Sequence, residues 1–294
     1  MGAAAALASS FVWALTSVML TSQTGRMPAL VMSGIRSLTA SLALIVLLFA
    51  TGSVETFEGV AAITVISMAG SGIMGQAVGD TLYINALGRL GVTRSFPITN
   101  SAYPFATFVL AVLLLGEDLS WTSPVGGALI VAGITWIVLE QRRERDIAPS
   151  RVEAPRGVLF ALAAATAWAT ATVWLRGQQG DLDAIAAASL RIPAASAAVL
   201  ATLALSGARP RTTAGVTPRS AAVVAVAGLL GTALGSILFI YAVERLGAAE
   251  TAFLTTSAPL FALPMGVLFL GERLTWRVAF GTAITIAGIW LVLL

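Results

Sequence analysis

Residues 72–91 read GIMGQAVGDTLYINALGRLG, and residues 228–247 read GLLGTALGSILFIYAVERLG. Laid over each other with a shift of 156, Gly72, Gly75 and Gly79 fall on Gly228, Gly231 and Gly235. The same shift carries Arg89-Leu90-Gly91 onto Arg245-Leu246-Gly247. A shift of 155 superposes the flanking sequence: Trp13 on Trp168, Arg36 on Arg191, Gly52 on Gly207, Pro104 on Pro259, Gly116-Glu117 on Gly271-Glu272 and Trp121 on Trp276. One residue is thus gained and then lost between segments. Coincident Ala and Leu would mean little in so apolar a chain, but Trp, Arg and Gly-Glu are rare enough that their joint recurrence defines an internal repeat.

The solvent of that repeat follows from composition. Of 294 residues, 57% are hydrophobic and 11% charged, with a mean hydropathy of +0.91. A soluble domain carries about 25% charged residues to cover its surface, so most of this surface faces lipid. All 17 basic residues are Arg, and they lie in the loops instead of forming one basic face, which argues against a nucleic-acid partner at a net charge of only +3. The absence of Cys and His excludes disulfides, the usual zinc ligands and His-based catalysis.

A bilayer core needs about 20 mostly apolar residues per helix. Ten segments qualify: 3–22, 29–50, 60–86, 93–115, 122–139, 157–176, 184–206, 220–243, 249–270 and 277–294. Turn chemistry or charge marks the breaks, as at Thr51-Gly52-Ser53 and Gly116-Glu117-Asp118. The expected architecture is an all-α membrane protein of ten transmembrane helices in two inverted five-helix repeats. Its parts are a first repeat over 1–140, a linker over 141–155 and a second repeat over 156–294. An odd number of helices per repeat inverts the second half, a plan recurrent in secondary transporters with the substrate site at the repeat interface.

Trp near the middle of the first helix of each half (Trp13, Trp168) and Arg in the second (Arg36, Arg191) belong to a wider pattern. Arg-Leu-Gly follows the third helix, and Leu-Gly-Glu closes the fourth at 115–117 and 270–272. Together these resemble the EamA family of the drug/metabolite transporter superfamily, and the resemblance covers essentially the whole chain. It implies a carrier of small organic molecules (family members export amino acids, metabolites, sugars and drugs). It also implies a cavity lined mainly by the first, third and fourth helices of each half, with the fifth and tenth peripheral.

The candidate site residues follow from periodicity and depth. Trp13 and Ser17 share a helical face, as do their repeat mates Trp168 and Thr172; both Trp lie too deep for an interfacial belt and are read as cavity lining, with packing as the alternative. Gln76, Asp80 and Tyr83 follow at i, i+4 and i+7, a single polar stripe. Asp80 is the one acid well inside an expected span. A carboxylate there costs about 2.5–3.5 kcal/mol on insertion scales, so it marks a pathway or proton site and is the coupling candidate, unless the helix ends near Tyr83 and Asp80 reaches the interface. Asn100, Tyr103 and Thr107 extend the stripe onto the fourth helix, and the second half offers Thr255 and Thr256, each of which could equally be packing. Pro104 and Pro259 kink the fourth and ninth helices. Arg36 and Arg191 could bind an anion, but the preferred reading is structural, each capping carbonyls or an acid at a neighbouring helix end, with Glu117 and Glu272 as candidate acids.

The expected function is secondary active transport, most simply export, of a small organic metabolite such as an amino acid or drug-like compound by alternating access. A passive channel or lipid scramblase is the rival, and a membrane-embedded enzyme the weaker one, since neither a His nor a Lys can serve as base. No cofactor or metal is implied, and no phosphate-cradling loop motif is present to couple ATP. Protons are the candidate coupling ion, the bilayer and a small-molecule substrate are the partners, and a monomer suffices. The expected location is a bacterial cytoplasmic membrane. Loops after the odd-numbered segments hold Arg26, Arg89, Arg94, Arg142, Arg143, Arg145, Arg151, Arg156, Arg209, Arg211, Arg219, Arg273 and Arg277, against Arg176 and Arg245 in the others. The positive-inside rule therefore puts the 140–156 loop in the cytoplasm and both termini outside. The family resemblance implies the reverse. The chain begins directly at its first helix, and an upstream basic segment would also pull the other way.

Overall fold

The structure, a computed structural model, describes residues 1–23, 26–90, 92–118, 120–142, 154–205, 216–258, 260–261 and 276–294. All regular structure among them is helical. In chain order the α-helices are α1 (Gly2–Thr21), α2 (Ala29–Ala50), α3 (Ala62–Gly72), α4 (Asp80–Leu90), α5 (Val92–Leu110), α6 (Thr122–Arg142), α7 (Ala154–Gln178), α8 (Ala184–Leu205), α9 (Pro218–Ala227), α10 (Gly235–Leu246), α11 (Ala248–Thr255) and α12 (Trp276–Val292). Six helical runs are long and apolar enough to cross a membrane: Leu30–Ala50, Ala62–Ala86, Ile98–Leu115, Pro155–Gln178, Ala184–Leu205 and Pro218–Leu246. Shorter apolar helices lie at Gly2–Ser17, Thr122–Trp136 and Ala279–Val292. The chain is a multi-pass membrane protein.

The third and eighth expected helices are longer and less regular than the apolar pattern indicated. A π-helical run, Ile73–Gly79, joins α3 to α4, and a second, Gly228–Leu234, joins α9 to α10. Both coincide with the glycine ladders. Without side chains to pack against the preceding turn, glycines tolerate the wider winding, and π turns of this kind concentrate at functional sites. The rod from Ala62 runs on to Leu90 instead of ending near Tyr83. Asp80 therefore sits inside a continuous helical rod, which removes the helix-end premise of the interfacial reading.

Contacts between the halves are reciprocal. α1 packs along α10 and its π run, and α7 packs along α4 and its π run. α2 lies against α8, and α6 against α12. Missing side chains make these approaches possible. A Cβ on Gly72 would strike the Arg191 backbone, and one on Gly228 the Arg36 backbone. A Cβ on Gly79 would meet the Trp168 indole 2.6 Å from its Nε1, and one on Gly235 would meet Trp13 Nε1 at 2.7 Å. In lipid, where apolar surface gains little by leaving its solvent, such close van der Waals packing is what joins helices. Alanine does the same in the core, with Ala40, Ala186, Ala187 and Ala188 fully buried around Leu44, Leu175 and Ile240.

The outward faces are apolar. Leu42, Val46, Phe49, Ile63, Ile66, Leu113 and Leu159 are exposed, which suits hydrocarbon and not water. Trp121 and Trp276, repeat mates at the starts of α6 and α12, are 73% and 71% exposed, as expected of interfacial aromatic anchors. α6 and α12 meet chiefly each other, through backbone contacts at Gly126 and Gly288. That agrees with the peripheral position implied for the fifth and tenth helices.

Candidate transport site

The polar residues of the first-half rod converge with α7. Asp80, the first residue beyond the π run, accepts a hydrogen bond from Arg36 Nη2 of α2 at 3.1 Å through Oδ2. Its other oxygen, Oδ1, accepts from Trp168 Nε1 of α7 at 3.1 Å. The two charged side chains keep 29% and 30% of their accessible surface, so the pair is sheltered without being sealed. The Trp168 ring lies 5.3 Å from that of Tyr83 and 6.4 Å from that of Tyr103, the latter edge-on at 87°. Thr172, one turn beyond Trp168, donates to the Trp168 carbonyl at 2.9 Å. Its single hydroxyl proton being committed there, the Tyr103 hydroxyl is the donor in their 3.2 Å contact. Asp80, Tyr83, Tyr103, Trp168 and Thr172 thus form one constellation across the two halves, with Arg36 bound into it.

The other candidates are placed more dispersedly. Trp13, repeat mate of Trp168, donates from Nε1 to the Gly231 carbonyl at 2.9 Å and packs on Phe239 at 5.5 Å between ring centroids. Ser17 donates to the Trp13 carbonyl at 2.7 Å, as Thr172 does to that of Trp168. Gln76 is half-buried in the π run and Asn100 half-buried on α5. Thr255 and Thr256 are buried and donate to carbonyls of their own helix at 2.8 and 2.7 Å, the arrangement expected of packing hydroxyls. Thr255 also reaches the Tyr103 side chain. Pro104 is buried beside Tyr103 in α5, while Pro259 lies outside the described residues.

Neither arginine takes Glu117, one of the acids foreseen, although Arg191 does reach a carbonyl. Arg36 takes Asp80. Arg191 is 7% exposed and donates from Nη1 to Ser71 Oγ at 3.0 Å and toward the Ala171 carbonyl at 3.5 Å. Ser71 carried no signal of its own in the sequence, since a lone Ser in an apolar run is commonplace. Glu117 instead spans the halves elsewhere. Its carboxylate accepts from the backbone N–H groups of Ala248 and Ala249 at 2.8 and 3.3 Å, capping the free donors at the start of α11. The approach needs Gly247, whose φ of 89° any Cβ would oppose. Arg176 stands 4.0 Å from the same carboxylate, and Glu250 of α11 accepts from Ser123 Oγ at 3.2 Å. The leucine-glycine-glutamate motif had marked this residue, but only folding brings it to α11. Glu272, its mate, lies outside the described residues.

What this arrangement can do is bind and rearrange. It offers a carboxylate, two guanidiniums, a cluster of tilted and edge-on aromatic rings and hydroxyls at the contact between two repeats. Among the described residues no cluster of acidic or metal-ligating side chains could hold a metal ion.

The model of the EamA-like transporter family matches this chain over residues 1–139 and again over 155–294. An uncharacterized transporter of Archaeoglobus fulgidus is 25% identical over 224 residues, spanning 76% of this chain and 74% of that protein. An uncharacterized protein of Pseudomonas aeruginosa is 31% identical over 188 residues, spanning 64% of this chain and 60% of the other. A protein crystal structure of 18% identity superposes with a TM-score of 0.81 over 99% of this chain and 94% of its own, a likeness of fold. With its double family match, its apolar helices and its reciprocal packing, the chain belongs to the EamA-like transporter family.

Proposed function

We propose that this protein is a secondary active transporter that exports a small organic metabolite, an amino acid or drug-like compound, by alternating access between two inverted five-helix repeats. The ten spans fall as 1–140 and 156–294 joined by a linker, and the protein works as a monomer in a bacterial cytoplasmic membrane. The observation that carries this reading is the Arg36–Asp80–Trp168 chain, which ties α2 and α4 of one half to α7 of the other. A proton delivered to Asp80 would abolish its attraction to Arg36 and weaken its acceptance from Trp168. That loosens the contact between halves, which is the link required between protonation and a change of access.

Counterflow is the test. Proteoliposomes preloaded with a substrate should transiently concentrate the labelled form of it from outside; simple equilibration would identify a pore or scramblase and end the carrier reading. Orientation follows the charge bias, with the 140–156 loop cytoplasmic. A Ser150→Cys variant of this Cys-free protein should resist a membrane-impermeant thiol reagent in intact cells and react after lysis. Labelling of intact cells would reverse the assignment.

A further inference from the structure

The repeat places one arginine deep in each half, but among the described residues only one of them meets a carboxylate. Arg36 has Asp80 at 3.1 Å. In the second half the position matching Asp80 is Ser236, and among the described residues no carboxylate pairs with Arg191. Arg191 is 7% exposed, and both of its hydrogen bonds, to Ser71 and to the Ala171 carbonyl, leave from Nη1. The rest of the guanidinium fork is uncommitted among the described residues. A hydroxyl and a carbonyl dipole do not cancel a net charge, and an isolated cation in hydrocarbon is expensive and usually functional. Ala171, its carbonyl partner, directly precedes Thr172, which meets the Tyr103 hydroxyl at 3.2 Å, and the Tyr103 ring lies edge-on to Trp168.

We infer that Arg191 is the counter-ion for the transported molecule, which is an organic anion with a planar or aromatic body. The inference rests on the transporter reading above and gives it a substrate class. The acidic group, a carboxylate or a phosphate ester, pairs with the free edge of the Arg191 fork, a geometry suited to bidentate contact. The body lies against Tyr103 and Trp168. Asp80 takes no part in holding the anion, because Arg36 already occupies it.

The experiment is a ligand panel on the purified full-length protein, read by thermal unfolding and by tryptophan fluorescence. The probes are phenylacetate, phenyl phosphate, the neutral phenylacetamide and the cationic phenethylamine. The expected result is binding of one or both anions and at least about tenfold weaker binding of the amide and amine, the scale of one charged hydrogen-bonded contact. The phenylacetate and phenyl phosphate arms distinguish the two acidic groups. Arg191→Gln should remove anion binding, and Arg191→Lys should keep part of it. Ser71→Ala separates this from a purely structural arginine: it breaks the contact between α8 and α3 but leaves the charge, so anion binding should persist. Loss of anion binding in Ser71→Ala equal to that in Arg191→Gln would overturn the inference. So would equal binding of amine and acid, or undiminished anion binding in Arg191→Gln. If Arg191→Gln fails to fold, the four probes on the unaltered protein still decide the charge class. Failure of the whole panel would sink the inference, while counterflow independently tests transport.

Discussion

The two half-buried tryptophans of the helix contacts occupy equivalent places and do different things. Trp13 and Trp168 are repeat mates; each stands against the last glycine of the opposite half's ladder, Gly235 or Gly79, and each is followed by a hydroxyl that bonds its carbonyl. Around the Trp13 ring the partners are apolar or backbone: Phe239 and the Gly231 carbonyl. Around the Trp168 ring they are Asp80, Tyr83 and Tyr103. A few substitutions between the repeats account for the difference, chiefly Asp80 against Ser236 and Tyr83 against Phe239. The backbone frame has kept its symmetry, and the chemistry has collected on one side of it. A symmetric scaffold permits exchange of conformation between halves, while a single specialised site avoids having two competing ones.

The sharpest way to break this comparison is to exchange the polarity at the mated positions. Asp80→Asn should abolish accumulation driven by a pH gradient while counterflow exchange persists, since exchange needs no net proton movement. Ser236→Ala should leave both close to the parent. Unchanged response to the gradient in Asp80→Asn would remove Asp80 from coupling. Stability should also fall, by up to about 3 kcal/mol if the pair behaved as fully buried, and by less because both side chains retain some access.

Next in size are the rings themselves. Trp168→Ala should lower transport about tenfold, the worth of an aromatic contact together with its hydrogen bond. Trp13→Ala should weaken packing more than transport when activity is normalised to folded protein. Equal losses would show that the first-half ring also lines the pathway, and normal transport in both would return both rings to packing.

The frame should respond symmetrically where the site does not. Gly72→Ala and Gly228→Ala each push a methyl group into the backbone of the other half's arginine. Each should cost about 1–3 kcal/mol of stability by overpacking, and by similar amounts. A wide gap between their unfolding temperatures would show that the two crossings are not equivalent. The smallest effect belongs to Glu117→Gln, which keeps an acceptor for the α11 N–H groups but loses the charge. A loss of about 1 kcal/mol is expected from the weakened cap. No measurable change in thermal unfolding would mean that the contact between Glu117 and α11 contributes nothing to stability.

Apolar length located the six membrane-length helices of the described residues because a membrane segment has one overriding requirement, an apolar surface long enough to span, and that is written locally. The repeat was legible for a similar reason: Trp, Arg and Gly recur where close packing is needed in both halves. The π runs were not legible. Gly72-Gly75-Gly79 announced a close approach, but whether the backbone answers by tight packing or by wider winding depends on what arrives opposite, here Arg191, Ala171 and Trp168.

The sequence by itself determined that the chain is membrane-embedded, helical and duplicated, and that Asp80, Tyr83, Tyr103 and Trp168 were worth watching. Composition, period and depth are properties of one segment at a time. Only the tertiary structure decided which of those residues meet. It joined Asp80 to Arg36 and Trp168, brought Arg191 to Ser71, and carried Glu117 across to α11. Pairing across 44, 88, 120 and 131 residues depends on helix rotation and crossing. Those are settled by glycine and alanine contacts summed over the whole bundle, and no local pattern records them.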